Sequence, residues 1–484
     1  MSVKIIKNYI EGEWVESESK QLLDVINPAK NEVIAKVPLS TTKEVNQAIE
    51  SANKAFQSWK EIPSTTRARY MFKLKDLLER NSEELAQITV NENGKTIEEA
   101  KGEIIRGIEN VEVATGIPSL MMGYNLEDVS KGIDTNTIRQ PIGTFCAVPP
   151  FNFPVMVPLW FFPQAIASGN TFILKPSEQV PLSQNKIFEI IHEVGLPKGV
   201  INLVNGSKEV VDTLLENKLI KGISFVGSSP VAKYIYSKAA NNGKRVQCLA
   251  GAKNFIIVMP DSTLEKTTDG IIGSAFGCAG ERCLAGSTIV AVGESYTKLK
   301  KSLLDSASKL IIGYGLDKDV DMGPVISNNH KNKVMEYIEK GIDEGAKLIL
   351  DGRNIDNSKY PNGFFIGPTI FDEVNPEMTI AKEEIFGPVL SIIKAKDLEQ
   401  AIKILNESKY GNAASIFTSS GKVAREFQHK VQAGMVGVNI SVPAPIAFFP
   451  FTGWKESFYG DLHGHGKDAI EFYTEKKVIT SRWF

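Results

Sequence analysis

Cys283 lies in the run Phe276-Gly277-Cys278-Ala279-Gly280-Glu281-Arg282-Cys283-Leu284-Ala285-Gly286. A thiol attacks through its thiolate, and a neighbouring guanidinium favours that form. The small residues leave room for a substrate and let backbone N–H groups face it. The plain alternative is a buried structural cysteine, the commoner fate of a free Cys. Two of the chain's four cysteines fall in this run, and their spacing fits neither a zinc knuckle nor a CxxC redox pair.

Other stretches carry chemistry of their own. In Pro149-Pro150-Phe151-Asn152-Phe153-Pro154 an amide is pinned between aromatics and prolines after a strand. It suits an oxyanion hole, or else it is a buried Asn satisfied by its turn. Leu174-Lys175-Pro176-Ser177-Glu178 closes another strand. Its lysine and carboxylate suit ribose hydroxyls, and the alternative is a surface ion pair. Phe225-Val226-Gly227-Ser228-Ser229-Pro230 runs from strand through a Gly/Ser turn into a helix. Such a turn faces a phosphate, or is a plain helix cap. Glu383-Glu384-Ile385-Phe386-Gly387-Pro388-Val389 offers a carboxylate for a second ribose and a ring to pack on a flat heterocycle. Its alternative is a helix end followed by a strand.

The elements around these residues predict an α/β protein. Residues 8–40 read as a hairpin or meander, and 42–119 as mostly helical, with Val45, Ile49, Ala52 and Phe56 on one face and Tyr70, Leu74, Leu77 and Leu78 on another. Strands over 143–148, 171–174, 200–204 and 222–226 alternate with helices over 182–194 and 230–240, which predicts a parallel, doubly wound sheet. New strands at 255–259, 288–292, 348–350 and 415–418 predict a second α/β domain from about residue 251. The segments 124–139 and 477–480 read as strands able to pair with another subunit's sheet edge, or as a surface hairpin.

Composition excludes several classes. With 484 residues, 42% hydrophobic and 23% charged, the chain is an ordinary globular protein of more than one domain. A net charge of −2 argues against nucleic acid and anionic membranes. Five histidines, none in HExxH spacing, predict no metal. The apolar stretch 151–167 is broken by Pro154, Pro158 and Pro163, which suits a buried active-site floor better than a membrane span. Residues 1–9 lack an apolar signal core, so a reduced, cytoplasmic protein is expected.

Taken together and in order, these motifs resemble the aldehyde dehydrogenase superfamily over nearly the whole chain. Arg106-Gly107-Ile108-Glu109-Asn110-Val111-Glu112, Gly251-Ala252-Lys253-Asn254, Gly280-Glu281-Arg282-Cys283 and Gly460-Asp461-Leu462-His463 resemble its CoA-acylating methylmalonate-semialdehyde dehydrogenase subfamily. The resemblance implies an NAD-binding Rossmann-type domain (1–120 and 140–250), a catalytic α/β domain (251–455) and oligomerisation segments (121–139 and 456–484). It implies Cys283 as nucleophile, with Asn152 and the Cys283 N–H as oxyanion hole. Pro149, Phe151, Lys175, Glu178, Gln179, Ser228, Ala250, Glu384 and Phe386 are implied for NAD, and Arg106 and Arg282 for a substrate carboxylate. CoA is implied as co-substrate, and a homodimer or homotetramer as the assembly.

Hydrolytic relatives carry a glutamate just before Leu-Gly-Gly-Lys, and here Leu249 stands in its place. Without that base the acyl enzyme is expected to pass to CoA rather than water. Ala232, Ala250 and Phe255 depart from the family's pattern. The expected reaction is oxidation of malonate or methylmalonate semialdehyde to acetyl-CoA or propanoyl-CoA. A hydrolytic dehydrogenase of another anionic aldehyde, of succinate or sulfonate type, is the enzyme alternative. A non-catalytic binding protein of the same fold is the other.

Overall fold

The computed structural model describes residues 3–484, so Met1 and Ser2 of the N-terminal stretch discussed above lie outside the described residues. The first sheet runs Glu13–Val15, Asn8–Ile10, Ile201–Leu203, Thr171–Leu174, Thr144–Val148, Ile220–Val226, Arg245–Leu249, Phe458–Gly460. Its five central strands are parallel. The sheet as a whole is mixed, however, because both edges are closed by antiparallel strands. The hairpin expected within residues 8–40 supplies one of these edges, which the reading of a parallel sheet does not include, and the other edge, Phe458–Gly460, is only three residues long and is missed.

The central strands are buried on both faces, as helix-covered parallel strands must be. Phe145, Ala147, Phe172 and Leu174 point into one core, and Cys146, Val148 and Ile173 into the other, following the two-residue period. Helix Thr42–Trp59 covers the second face with Val45, Ile49 and Ala52, and starts on a capping box between Thr41 and Glu44. On the first face helix Ile97–Thr115 packs on helix Met156–Ala167, which is buried from Val157 onward. No helix of the described residues is long and apolar enough to cross a membrane.

The second sheet runs Lys347–Leu350, Thr369–Asp372, Val389–Ala395, Thr288–Val292, Phe255–Val258, Ala413–Phe417, Met435–Val438, and is parallel except for its first strand. A third, antiparallel sheet joins Thr474–Arg482, Ile133–Pro141 and Asn125–Ser130. The segments expected to seek another subunit therefore pair with each other first and leave two outer edges free. The stretch 456–484 does not act as one segment. Phe458–Gly460 extends the first sheet, and helix Gly466–Tyr473 packs on Met156–Ala167. Only the final strand joins the third sheet.

Candidate active site

In the first sheet the parallel strands stand in the chain order third, second, first, fourth, fifth, so connections leave in opposite directions on either side of Thr144–Val148 and Ile220–Val226. The crevice at the carboxyl ends beside such a reversal is the ligand edge of a doubly wound sheet. Pro149 to Asn152, Lys175 to Glu178, Gly227-Ser228 and Ala250-Gly251 all follow directly from those ends. Lys175 Nζ lies 3.0 Å from Glu178 Oε1, and the lysine is buried, so this is not a surface pair. Burial lowers the Lys175 pKa, and Glu178 opposes the shift. Ser228 caps helix Ser229–Asn241 without spending its hydroxyl on the helix, which leaves hydroxyl and N–H groups free at its N-terminus. Gln179, by contrast, is exposed and faces a different cleft, beside Asp24 and Lys331.

Cys283 is half-buried and lines a cavity of about 500 Å³ together with Arg106, Arg282, Phe153 and Trp160. The approach to it is unusual backbone. Cys278, Ala279 and Gly280 have φ of 49°, 51° and 74°, a left-handed turn. A Cβ on Gly280 would stand 2.2 Å from the Gly387 carbonyl oxygen, so only glycine lets the cysteine loop close on the Gly387-Pro388 turn. The carbonyl of Cys283 is then clamped by two side-chain amides, Asn254 Nδ2 at 2.9 Å and Asn412 Nδ2 at 2.8 Å.

Asn152 joins this loop. Its Nδ2 donates to the Glu281 carbonyl at 2.8 Å, and the second N–H of that amide remains for a ligand oxygen. Buried Lys95 donates to the Asn152 carbonyl at 2.7 Å and to Glu103 at 2.5 Å. Glu103 in turn accepts from the Val155 and Met156 N–H groups. Asn152 is thus held on both sides by fixed groups, the preorganisation that an oxyanion donor needs.

Electrostatics at the sulfur differ from the expectation. Burial, with the Glu384 carboxylate adding to it, pushes the Cys283 thiol up to about 12. The N–H groups of Cys283 and Leu284 and the Arg282 guanidinium pull the other way and do not prevail. Arg282 is already engaged, with Nη2 3.2 Å from Glu99 Oε1 and Nη1 donating to the Gly273 carbonyl at 3.1 Å. A sequence neighbour's charge is therefore partly spent elsewhere. Burial pushes Glu384 up to about 7, against the Ala252 N–H and Lys253.

A test follows from this pairing. Glu384→Gln removes a charge that raises the thiol pKa, so iodoacetamide labelling of Cys283 at pH 8 should quicken about three- to tenfold, since one pKa unit is tenfold in thiolate. Wild-type labelling should keep rising with pH without a plateau below pH 10, and more gently near pH 7, where Glu384 ionises. Equal or slower labelling in Glu384→Gln would contradict the pairing.

Phe386 and Phe151 meet edge to face at 5.9 Å, which joins the 384–386 segment to the Asn152 turn. Phe386 has φ +60°, and His330 Nε2 holds its carbonyl at 2.6 Å. Gly251 fits between Ser229 Oγ and Glu384 Oε2, which a Cβ would approach to 2.7 and 2.8 Å. Leu249 is buried at the end of its strand, and its carbonyl accepts from the Gly227 N–H at 3.1 Å. Sequence reasoning did not single out His465, which lines the cavity with its Nδ1 2.7 Å from the Phe449 carbonyl oxygen. Burial drives its pKa down to about 4, so it is neutral.

Comparison with known proteins agrees with this geometry. The model of the aldehyde dehydrogenase family matches residues 14–479. The chain belongs to the aldehyde dehydrogenase family. This aldehyde dehydrogenase is 54% identical over 482 residues to malonate-semialdehyde dehydrogenase 2 of Bacillus thuringiensis (strain Al Hakam), covering 100% of the chain and 99% of the relative. A solved structure of a putative methylmalonate-semialdehyde dehydrogenase from Sinorhizobium meliloti 1021, complexed with NAD, superposes with a TM-score of 0.98 at 44% identity, covering 100% and 98% of the two chains. Methylmalonate-semialdehyde dehydrogenase from Oceanimonas doudoroffii also gives a TM-score of 0.98, at 46% identity and 99% coverage of both chains.

Proposed function

We propose that this aldehyde dehydrogenase converts malonate semialdehyde, or its methyl homologue, with NAD and CoA into acetyl-CoA or propanoyl-CoA, carbon dioxide and NADH. The observation that carries this reading is one cavity holding a loop-fixed cysteine beside two arginines, Arg106 and Arg282. A guanidinium pairs with a carboxylate through forked hydrogen bonds, so the cavity suits an aldehyde that also bears an anion. The relatives named above support the particular anion.

In this mechanism the Cys283 sulfur attacks the aldehyde carbon. The resulting alkoxide meets the second N–H of Asn152 and the N–H of Cys283. NAD, when bound, supplies the hydride acceptor. Lys175 and Glu178 would hold a ribose, Ser228 a phosphate, and Glu384 with Phe386 the nicotinamide end, with Pro149, Phe151 and Ala250 shaping the crevice. The free hydroxyl of Ser228 and the pairing of buried Lys175 with the partly exposed Glu178 fit that group. Glu178 favours NAD over NADP, because a carboxylate repels a 2′-phosphate.

Loss of hydride leaves a thioester on Cys283. The β-carboxylate then leaves as carbon dioxide, and its electron pair takes up the proton released at oxidation. The CoA thiol displaces Cys283, which regains its own proton. Leu249 offers no carboxylate to activate water, and the four carboxylates that line the cavity are all paired, Glu99 and Glu109 with arginines, Glu103 with Lys95 and Glu98 with Lys101. The free edges of the third sheet, with exposed Leu126 and Val478, fit pairing into a dimer or tetramer in a reduced cytoplasm.

Product analysis tests the reading. Malonate semialdehyde, NAD and CoA should give acetyl-CoA and NADH in equal amounts, with malonate absent. Free malonate or acetate as the main product would place the enzyme among the hydrolytic dehydrogenases.

A further inference from the structure

Both arginines of the cavity already hold a carboxylate of the chain's own, and they hold it differently. Glu99, Arg106 and Glu109 lie seven and three residues apart along helix Ile97–Thr115 and all line the cavity. Glu99 is tied on every side. Its Oε1 accepts the Cys278 N–H at 2.5 Å as well as Arg282, and its Oε2 accepts the Thr96 N–H at 3.0 Å as half of the helix's capping box. The Arg282–Glu99 pair is therefore part of the frame.

Glu109 has no such ties. Its Oε2 lies 3.2 Å from Arg106 Nη1, and among the described residues it makes no other ion pair or side-chain hydrogen bond. Both side chains are about one-third exposed, 32% and 33%. Arg106 Nη2 stays anchored on the Pro445 carbonyl at 2.7 Å, so the guanidinium keeps its place if Glu109 moves.

We propose that Glu109 is a built-in competitor for Arg106, which an incoming carboxylate must displace before the aldehyde can settle on Cys283. Glu109 thereby sets how strongly the site selects carboxylate-bearing aldehydes over weaker anions. The proposal rests on the reading of the cavity as a carboxylate site.

The test compares KM for malonate semialdehyde with KM for propanal, which has the same chain length and no charge. In Glu109→Gln the ratio of KM for propanal to KM for malonate semialdehyde should rise about two- to fivefold, the range that a partly exposed ion pair supports. Glu109→Asp should fall between wild type and Glu109→Gln. In an Arg106→Gln background the effect of Glu109→Gln should vanish. A second readout needs no turnover: malonate should protect Cys283 from iodoacetamide at a two- to fivefold lower concentration in Glu109→Gln. An unchanged or lower ratio, or unchanged malonate protection, would overturn the proposal. Failure of the underlying reading looks different: the wild type itself would then use propanal as well as malonate semialdehyde.

Discussion

Cys283→Ala should lower NADH formation from malonate semialdehyde by at least about 10⁴-fold, the scale seen when a covalent nucleophile is removed. No other thiol can substitute. Cys146 and Cys248 are buried in the first sheet, and burial drives both thiol pKa values up. Cys278 lines the same cavity, but it is buried in the left-handed turn and burial raises its thiol pKa too. The loop should survive the change, because what holds it is the Cys283 carbonyl between Asn254 and Asn412 and the packing of Gly280 on Gly387. NAD affinity and thermal unfolding temperature should therefore stay near wild type. Turnover within tenfold of wild type would remove Cys283 from the mechanism.

Asn152→Ala should cost about 10²- to 10³-fold in kcat, the effect of deleting one preorganised donor to a developing oxyanion. It also deletes the bond to the Glu281 carbonyl, so a control must separate catalysis from loop support. The rate of Cys283 alkylation is that control, since it reads the sulfur's surroundings without an alkoxide. Alkylation within about threefold of wild type, alongside the large loss in kcat, assigns the effect to the oxyanion. If kcat and alkylation fall together, Asn152 is a support for the loop.

Much of the first sheet was legible in the sequence because three central strands, Thr144–Val148, Thr171–Leu174 and Ile220–Val226, end directly on Pro, Lys-Pro or Gly after apolar residues. The motifs were legible for the same reason, as they sit where those runs stop. Strand Arg245–Leu249 did not stand out, because Gln247 interrupts it; that amide is buried and bonds Ser224 in the neighbouring strand. Phe458–Gly460 is too short to carry a pattern of its own and exists through pairing with Gln247 to Leu249.

At the site, residue types were readable but partners were not. Asn254 lay inside a motif carried by resemblance, yet its task is set by Asn412, 158 residues away, and both meet at one carbonyl. Arg282 was read as a cation beside the thiol. Its charge is shared with Glu99 from helix Ile97–Thr115, and burial outweighs it at the sulfur. Gln179 follows the Lys175–Glu178 pair in sequence but turns outward to another cleft. Contacts of this kind depend on long-range packing, which no local spacing encodes.

Transfer of the Cys283 acyl group to CoA rather than water is the central claim, and omission of CoA tests it most directly. Enzyme mixed with saturating NAD and malonate semialdehyde, without CoA, should form NADH in a burst equal to the number of Cys283 sites and then nearly stop. Added CoA should restore steady turnover and produce acetyl-CoA. Steady NADH formation without CoA, at a rate that CoA does not change, would contradict the account.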